Sequence, residues 1–354
     1  MTRIARLFTA LALGLSTAGC ASLGYYAQAI GGQLDVLSKS RPIEELLAEP
    51  ATAPELRHRL AESLRIRDFA SHELKLPDNG SYRRYADLDR PYAVWNVFAA
   101  PELSLKLLEW CFPFAGCVSY RGYFAYADAE RFAADLRVEG YDVYVGGAIA
   151  YSTLGWFDDP VLNTMLRRPE PELAGLIFHE LAHQRLYLKG DTAFNESFAV
   201  TVELEGVRRW YERQGALRVY AQYLERKTRR DEFTALVLKY RARLEAVYAA
   251  PRPDDEKRAL KRETFAELRR EHAALKARWG GYDGYDGWFD DGLNNARIAA
   301  VGVYHQYVAA FQALLAKHGG DFAAFYREVQ ELARLPPHER ATMLEKLSTQ
   351  TRAR

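Results

Sequence analysis

The sequence Phe178-His179-Glu180-Leu181-Ala182-His183-Gln184 is followed, after a short interval, by Phe194-Asn195-Glu196-Ser197. On a helix, residues four apart lie one above the other, so the His179 and His183 imidazoles can reach a single metal ion. Glu180 is turned about 100° around the helix axis, where its carboxylate faces a water on the metal rather than the metal itself. Neutral nitrogen ligands, an open coordination position and a general base beside the water are what metal-assisted hydrolysis requires. Upstream, Pro171-Glu172-Leu173-Ala174-Gly175-Leu176-Ile177-Phe178 supplies helix-start residues and then an apolar run. The pattern predicts a half-buried helix that carries the pair. The bland alternative is a hydrogen-bonded His pair on such a helix.

A hydrolytic zinc site takes a third protein ligand. Glu196 is the first candidate for one Zn2+ held by His179, His183 and Glu196; Glu203 and Asp191 are the alternatives. Lys189-Gly190-Asp191 marks a reversal, so the helix that begins near Phe194 can return alongside the first. This His, His, Glu set is similar to that of thermolysin-like peptidases, which also carry Asn-Glu at this point. The connection is shorter than theirs, with twelve residues between His183 and Glu196. Metal-bound imidazoles usually donate their second nitrogen to a carboxylate. Glu203, Asp158 and Asp159 are candidates for that partner, against the alternative that they cap helices or face solvent. A donor opposite the metal is expected to stabilise the tetrahedral intermediate. Tyr151 and Tyr304 are the leading candidates, with His305 and Tyr307 beside them, although most of the 22 tyrosines must serve packing.

Around this centre the chain reads as α+β and zincin-like. Helical periodicity covers Tyr25 to Ser38, Ile43 to Leu47, and Pro54 to about Leu74. Pro77-Asp78-Asn79-Gly80 is a turn. Strands are predicted over Tyr92–Phe98, Val118–Tyr126 and Tyr141–Gly147, with a helix over Ala129–Glu139 that Gly140 closes. They are expected to form a small mixed sheet; zinc peptidases of the kind this site resembles commonly place such a sheet beside the metal-binding helix, with an edge strand that aligns substrate by strand addition. From Phe198 to Ala249 the chain is one long helical pattern. Pro251-Arg252-Pro253-Asp254 breaks it and Lys257 to Trp279 resumes it, giving a charge-laced antiparallel hairpin. Gly280 to Gly292 is a loop, Asn294 to Leu315 another apolar helix, and the end a frayed polar tail. Gly155-Trp156-Phe157-Asp158-Asp159 recurs as Gly287-Trp288-Phe289-Asp290-Asp291; Asp capping explains much of the echo, and the aromatics need burial.

The first residues carry a basic Met1–Arg6 segment, an apolar run from Leu7 to Leu15, and Ala18-Gly19-Cys20. This predicts an exported precursor with a leader at 1–19. The leader resembles a lipoprotein signal with Cys20 lipidated, and Ala21 after the Cys points to the outer membrane. Expected units are an N-terminal helical segment at 20–90, a catalytic core at 91–215, a helical region with the hairpin at 216–340, and the tail at 341–354. Of three cysteines, Cys111 and Cys117 remain to pair around Pro113 and Gly116, as an oxidising periplasm favours. A net charge of +1 without a basic stripe argues against nucleic acid. Membrane contact is then through the Cys20 lipid alone. Oligomeric state is not legible.

The chain resembles a bacterial family of zinc aminopeptidases, most of them lipoproteins by sequence. The matching stretches are Pro91–Glu102, Gly146–Pro160, Phe178–Gln184, Lys189–Ala199 and Asn294-Asn295-Ala296, and the likeness spans roughly Tyr25 to Phe311. It implies zinc and hydrolysis of a peptide substrate, with Glu180 as base. Gly147, Ala148 and Asn295 join the expected substrate contacts. Better-known aminopeptidases bind the free amine with a Glu in a Gly-x-Met-Glu-Asn strand. Gly147-Ala148-Ile149-Ala150-Tyr151 has no acid there, so Asp158, Asp159, Asp290 or Asp291 would have to supply the anchor. The competing reading is an envelope lipoprotein whose metal site is vestigial or structural and which acts as a binding module. Glu180 discriminates, since a structural site has no use for a general base.

Overall fold

A computed structural model describes residues 24–112, 116–153, 155–290, 292–301 and 307–352. The leader, Cys20, Asp291, Tyr304 and His305 lie outside the described residues. The architecture is α+β and mostly helical, with small sheets. Among the described residues no helix is long and apolar enough to cross a membrane.

The chain begins with α1 (24–39), β1 (Arg41–Pro42), α2 (Ile43–Ala48) and α3 (Pro54–His72). Next come β2 (Arg84–Ala86), β3 (Val94–Pro101), β4 (Trp110–Phe112), β5 (Gly116–Val118) and β6 (Arg121–Tyr123). Then α4 (Tyr126–Val138) leads to β7 (Tyr141–Ala148), β8 (Val161–Leu162) and α5 (Asn163–Leu166). The expected mixed sheet is antiparallel instead: β6 and β7 flank β3, each antiparallel to it. They run in one direction on either side of β3, and α4 supplies the crossover that parallel strands need. Mixed pairing occurs in a separate small sheet, β1-β2-β8, where β2 and β8 are parallel. The expected strand over Val118–Tyr126 is broken at Ser119-Tyr120 into β5 and β6. Cys111 and Cys117 stand opposite each other in the β4–β5 ladder and form a disulfide.

The motif helix α6 spans Glu170–Arg185, and α7, Thr192–Arg213, returns beside it. Pro171 and the acidic Glu170 and Glu172 suit the start of α6, and His183 and Arg185 its last turn. Asp191 caps α7 by accepting from Phe194 N at 3.0 Å. Between the helices the Asn195 amide clamps the turn. It accepts from Leu188 N and donates to Leu188 O, both at 2.8 Å. That explains the Asn of Asn-Glu: it fixes the connection that delivers Glu196. The two helices close because backbone meets side chain where they cross. A Cβ on Gly206 would stand 2.6 Å from the Phe178 ring and 2.7 Å from Leu74, well inside carbon contact distance. One on Gly175 would come 3.2 Å from both Glu203 Cγ and the Tyr223 hydroxyl. The sheet packs on α4, and the motif helix packs on α3, α7 and α8 (Leu217–Ala249) rather than on the sheet.

The helix expected from Phe198 to Ala249 is two, because Gly215 at φ +66° ends α7 and turns the chain into α8. With α9 (Asp254–Arg278), α8 forms the expected hairpin, which has its own core. Phe233, Val237, Tyr240 and Leu244 on α8 belong with Phe265, Leu268 and Leu275 on α9 to that core. The loop from Gly280 contains a short helix, α10 (Asp286–Asp290). The expected apolar helix resolves into α11 (Asn295–Ala300) and α12 (Val308–Lys317), and α13 (Phe322–Arg334) follows. The polar tail is not frayed: α14 (Pro337–Arg352) buries Leu344 in the main core. Its Arg340 pairs with the α7 cap Asp191 at 2.8 Å.

Candidate metal centre

On α6, His179 and His183 turn their rings toward each other, with Nε2 atoms 3.1 Å apart. Glu196, in the second turn of α7, places Oε2 3.3 Å from His179 Nε2 and Oε1 3.5 Å from His183 Nε2. An ion held tetrahedrally at about 2.0–2.1 Å requires donors about 3.3–3.4 Å apart. The imidazole nitrogens each meet a different Glu196 oxygen, and one donor atom from each residue lies within 4.8 Å of the others, so His179, His183 and Glu196 form a group able to hold a metal ion. Glu203, weighed as an alternative ligand, is the partner behind the site. Its Oε2 lies 3.1 Å from His179 Nδ1, and its Oε1 accepts from the Tyr223 hydroxyl at 2.6 Å. A carboxylate on Nδ1 holds one proton there, so that Nε2, once it gives up its own proton, would face the ion with its lone pair. Asp191 is used as a cap. The buried His183 Nδ1 has no hydrogen-bond partner among the described residues, so the two imidazoles are held unequally.

Electrostatics follow from three carboxylates around buried imidazoles. Burial alone would lower the His179 pKa; Glu196 and then Glu203 override it and push it up to about 10. Burial would raise Glu196, but the two imidazoles hold it well below the usual carboxylate range. Glu203 is likewise drawn down, against its burial, to about 2, mainly by His179.

His179 and Glu196 open onto a cavity of about 650 Å3, while His183 is buried beside it. Glu180 lines it beside them, as the motif requires. The facing wall is α8, through Tyr223, Arg226, Lys227, Arg230 and Thr234. The sequence reading took that helix for a solvated charged hairpin and missed this wall. The available signal was spacing: these five residues share one helical face, offset from the apolar stripe that packs on α9.

Other expected site residues fall elsewhere. β7 is an edge strand, and Ile149 directly after it lines the cavity, but Gly147 and Ala148 do not. Tyr151 is packed on the main core, edge-on to Phe124, with its hydroxyl donating to Gln33 at 2.7 Å. Asn295 is fully buried and ties loops together. It donates to the carbonyls of Pro101, Glu102 and Ser104 and accepts from the Tyr248 hydroxyl. Asp158 is exposed and sits against Gly80, where a side chain would collide with its carboxylate. Asp159 is buried, accepting from Thr153 N at 2.9 Å while its carbonyl accepts from Tyr82 N at 2.7 Å. Burial lifts its carboxyl to about 6, with Thr153 opposing and the charge of Glu180 adding to the rise. The two Trp-Phe copies do not converge. Trp156 and Phe157 are exposed, whereas Trp288 and Phe289 pack on Phe233 in the hairpin core. Tyr120, between β5 and β6, was overlooked. Partial burial, then Tyr187 and Glu196, raise its pKa, but it is 41% exposed and does not line the cavity.

Glu203→Gln should weaken metal binding about 10–100-fold, the range for partners behind ligating imidazoles. A competitive chelator titration reads this; affinity within twofold of wild type would remove Glu203 from the site.

No curated protein and no solved structure matches the chain. Residues 24–344 match the family described as "Putative aminopeptidase", a description that names a peptidase. With nearly the whole described chain inside that match, the protein belongs to this family.

Proposed function

We propose that the chain is a zinc-dependent metallopeptidase with a zincin-like site, working as an aminopeptidase. The observation that carries the reading is the convergence of His179, His183 and Glu196, whose donor atoms lie within 4.8 Å of one another, beside a cavity lined by His179, Glu196 and Glu180. Two imidazoles and one carboxylate are a donor set suited to zinc. When bound, zinc supplies a Lewis acid that acidifies water and polarises a peptide carbonyl at neutral pH. Glu180 takes the proton of the attacking water and returns it to the leaving amine nitrogen. Glu203 keeps His179 in the tautomer that turns Nε2 inward. The edge strand β7, whose Val143 carbonyl is taken by Asn294 at 2.9 Å, leads through Ile149 into the cavity, and its remaining edge suits an extended peptide.

The family description favours the amino end of the peptide. Neither Asp158 nor Asp159 lines the cavity as an amine anchor. We further propose export and a lipid tether on Cys20 at the periplasmic face of the outer membrane. The leader-like first residues and the Cys111–Cys117 bridge support that setting.

The test is metal analysis of the mature protein with turnover of N-free and N-blocked peptides, before and after chelation. One zinc per chain and chelator-sensitive turnover, restored by zinc, are expected. Faster cleavage of N-free peptides supports the aminopeptidase; equal cleavage removes that specificity. Stoichiometric metal with no turnover on either would favour a binding module.

A further inference from the structure

The α8 wall of the cavity carries three cationic side chains whose carboxylate neighbours all stand 3.6–3.9 Å away, beyond hydrogen-bond distance. Lys227 and Arg230 sit one turn apart on α8 and line the cavity with Arg226. The Lys227 side chain is only 9% exposed, and among the described residues its Nζ makes no hydrogen bond; Asp231 lies 3.9 Å away on the solvent side. Arg230 stands 3.9 Å from Glu203 Oε1, an oxygen already accepting from Tyr223. The buried Arg226 Nε makes no hydrogen bond among the described residues; it lies 3.6 Å from Glu172, a carboxylate shared with Arg168 at 3.5 Å. A buried ammonium without a hydrogen-bonded counter-ion is costly. Here one such ammonium, Lys227, lines the cavity, with the more exposed Arg226 and Arg230 beside it on the same helix face. A bound metal would add two further positive charges, and Glu196 would be engaged with it.

We infer that Lys227 and Arg230 form a carboxylate-binding subsite, so that the preferred substrates are short peptides placing an anionic group opposite the metal. This rests on the peptidase reading of the same cavity. The cavity volume of about 650 Å3 is that of a small-ligand site. A carboxylate reaching Lys227 and Arg230 would gain charge-assisted hydrogen bonds and relieve the desolvated ammonium. Two sources share that chemistry: the C-terminal carboxylate of a short peptide and an Asp or Glu side chain.

The test compares one tripeptide as free acid, as C-terminal amide, and as an amide with Glu in place of a neutral side chain. Wild-type full-length mature protein should favour the free acid over the amide by tenfold or more in kcat/KM. If the Glu-bearing amide recovers the preference, the side chain is the source; if it does not, the C-terminus is. In Lys227→Met the ratio should collapse toward one, and in Lys227→Arg it should persist, with metal content unchanged in both. Equal kcat/KM for acid and amide in wild type, or a ratio that survives in Lys227→Met, would overturn the subsite while leaving the peptidase intact. Calorimetric binding of the same peptides separates the other failure. If nothing is cleaved but the acid binds tenfold tighter than the amide and Lys227→Met abolishes the difference, the subsite stands and the peptidase reading falls.

Discussion

Glu180→Gln is expected to lower turnover by about two to four orders of magnitude, the usual contribution of a positioned general base, while the metal stays bound. The two halves of this expectation have separate physical origins. Retention of metal follows because the converging donors belong to His179, His183 and Glu196, and Glu180 is not among them. Loss of turnover follows because Gln keeps the shape of Glu but cannot accept a proton at neutral pH. The substitution also removes a negative charge beside Asp159 and Tyr82, whose pKa values that charge helps to raise. The buried Asp159 should therefore lose one unfavourable charge neighbour, and thermal melting is expected to show a fold at least as stable as wild type. Metal analysis, thermal melting and peptide turnover on the same preparation read all three. Turnover within tenfold of wild type would end the general-base role. Metal loss would mean that Glu180 had been misplaced as a non-ligand.

The centre of this fold was legible because helix geometry ties residue spacing to facing direction. His179, His183 and Glu180 needed only the 3.6-residue turn. Glu196 needed only a reversal between two helices, which Gly190 and Asp191 advertised. What the sequence hid was whatever depends on contacts between distant segments. Gly206 and Gly175 look like weak points in helices until Phe178 and Glu203 are seen to occupy the space above them. Asn295 carries a motif-like neighbourhood, yet its amide is consumed by Pro101, Glu102 and Ser104, nearly two hundred residues earlier. The repeated Gly-Trp-Phe-Asp-Asp segment shows the limit most directly. One copy leaves Trp156 exposed and the other packs Phe289 against His272, because burial is decided by what stands opposite, not by the segment. Leu344 was read as part of a tail for the same reason: a mostly polar helix with one buried Leu gives little periodic signal. The cationic wall was missed because charges on a long helix usually face water, and only the return of α8 over α6 turns Lys227 inward.

Metal binding should release a proton, and its affinity should therefore climb steeply with pH. In the metal-free protein His179 holds its second proton up to about pH 10, because Glu196 and Glu203 outweigh the effect of burial. One of its two N–H groups points at Glu203 and stays. The other occupies Nε2, the atom that must become a metal ligand. The sign follows directly: below the raised pKa each ion bound displaces this proton, so protons compete and affinity rises with pH; above it the competition ends. A full proton released means about tenfold in affinity per pH unit, or about a hundredfold between roughly pH 7 and pH 9. Zinc titrations against a chelator of known pH dependence measure the slope, and calorimetry in buffers of different ionisation enthalpy counts the proton independently. Glu203→Gln should flatten the slope near the alkaline end, since removing that carboxylate lets His179 give up its proton at lower pH, even as it weakens binding overall. A wild-type affinity that changes less than threefold across this window, with no proton released, would mean that the His179 proton and the metal do not share Nε2, and the ligand set would have to be redrawn around Glu196 and His183.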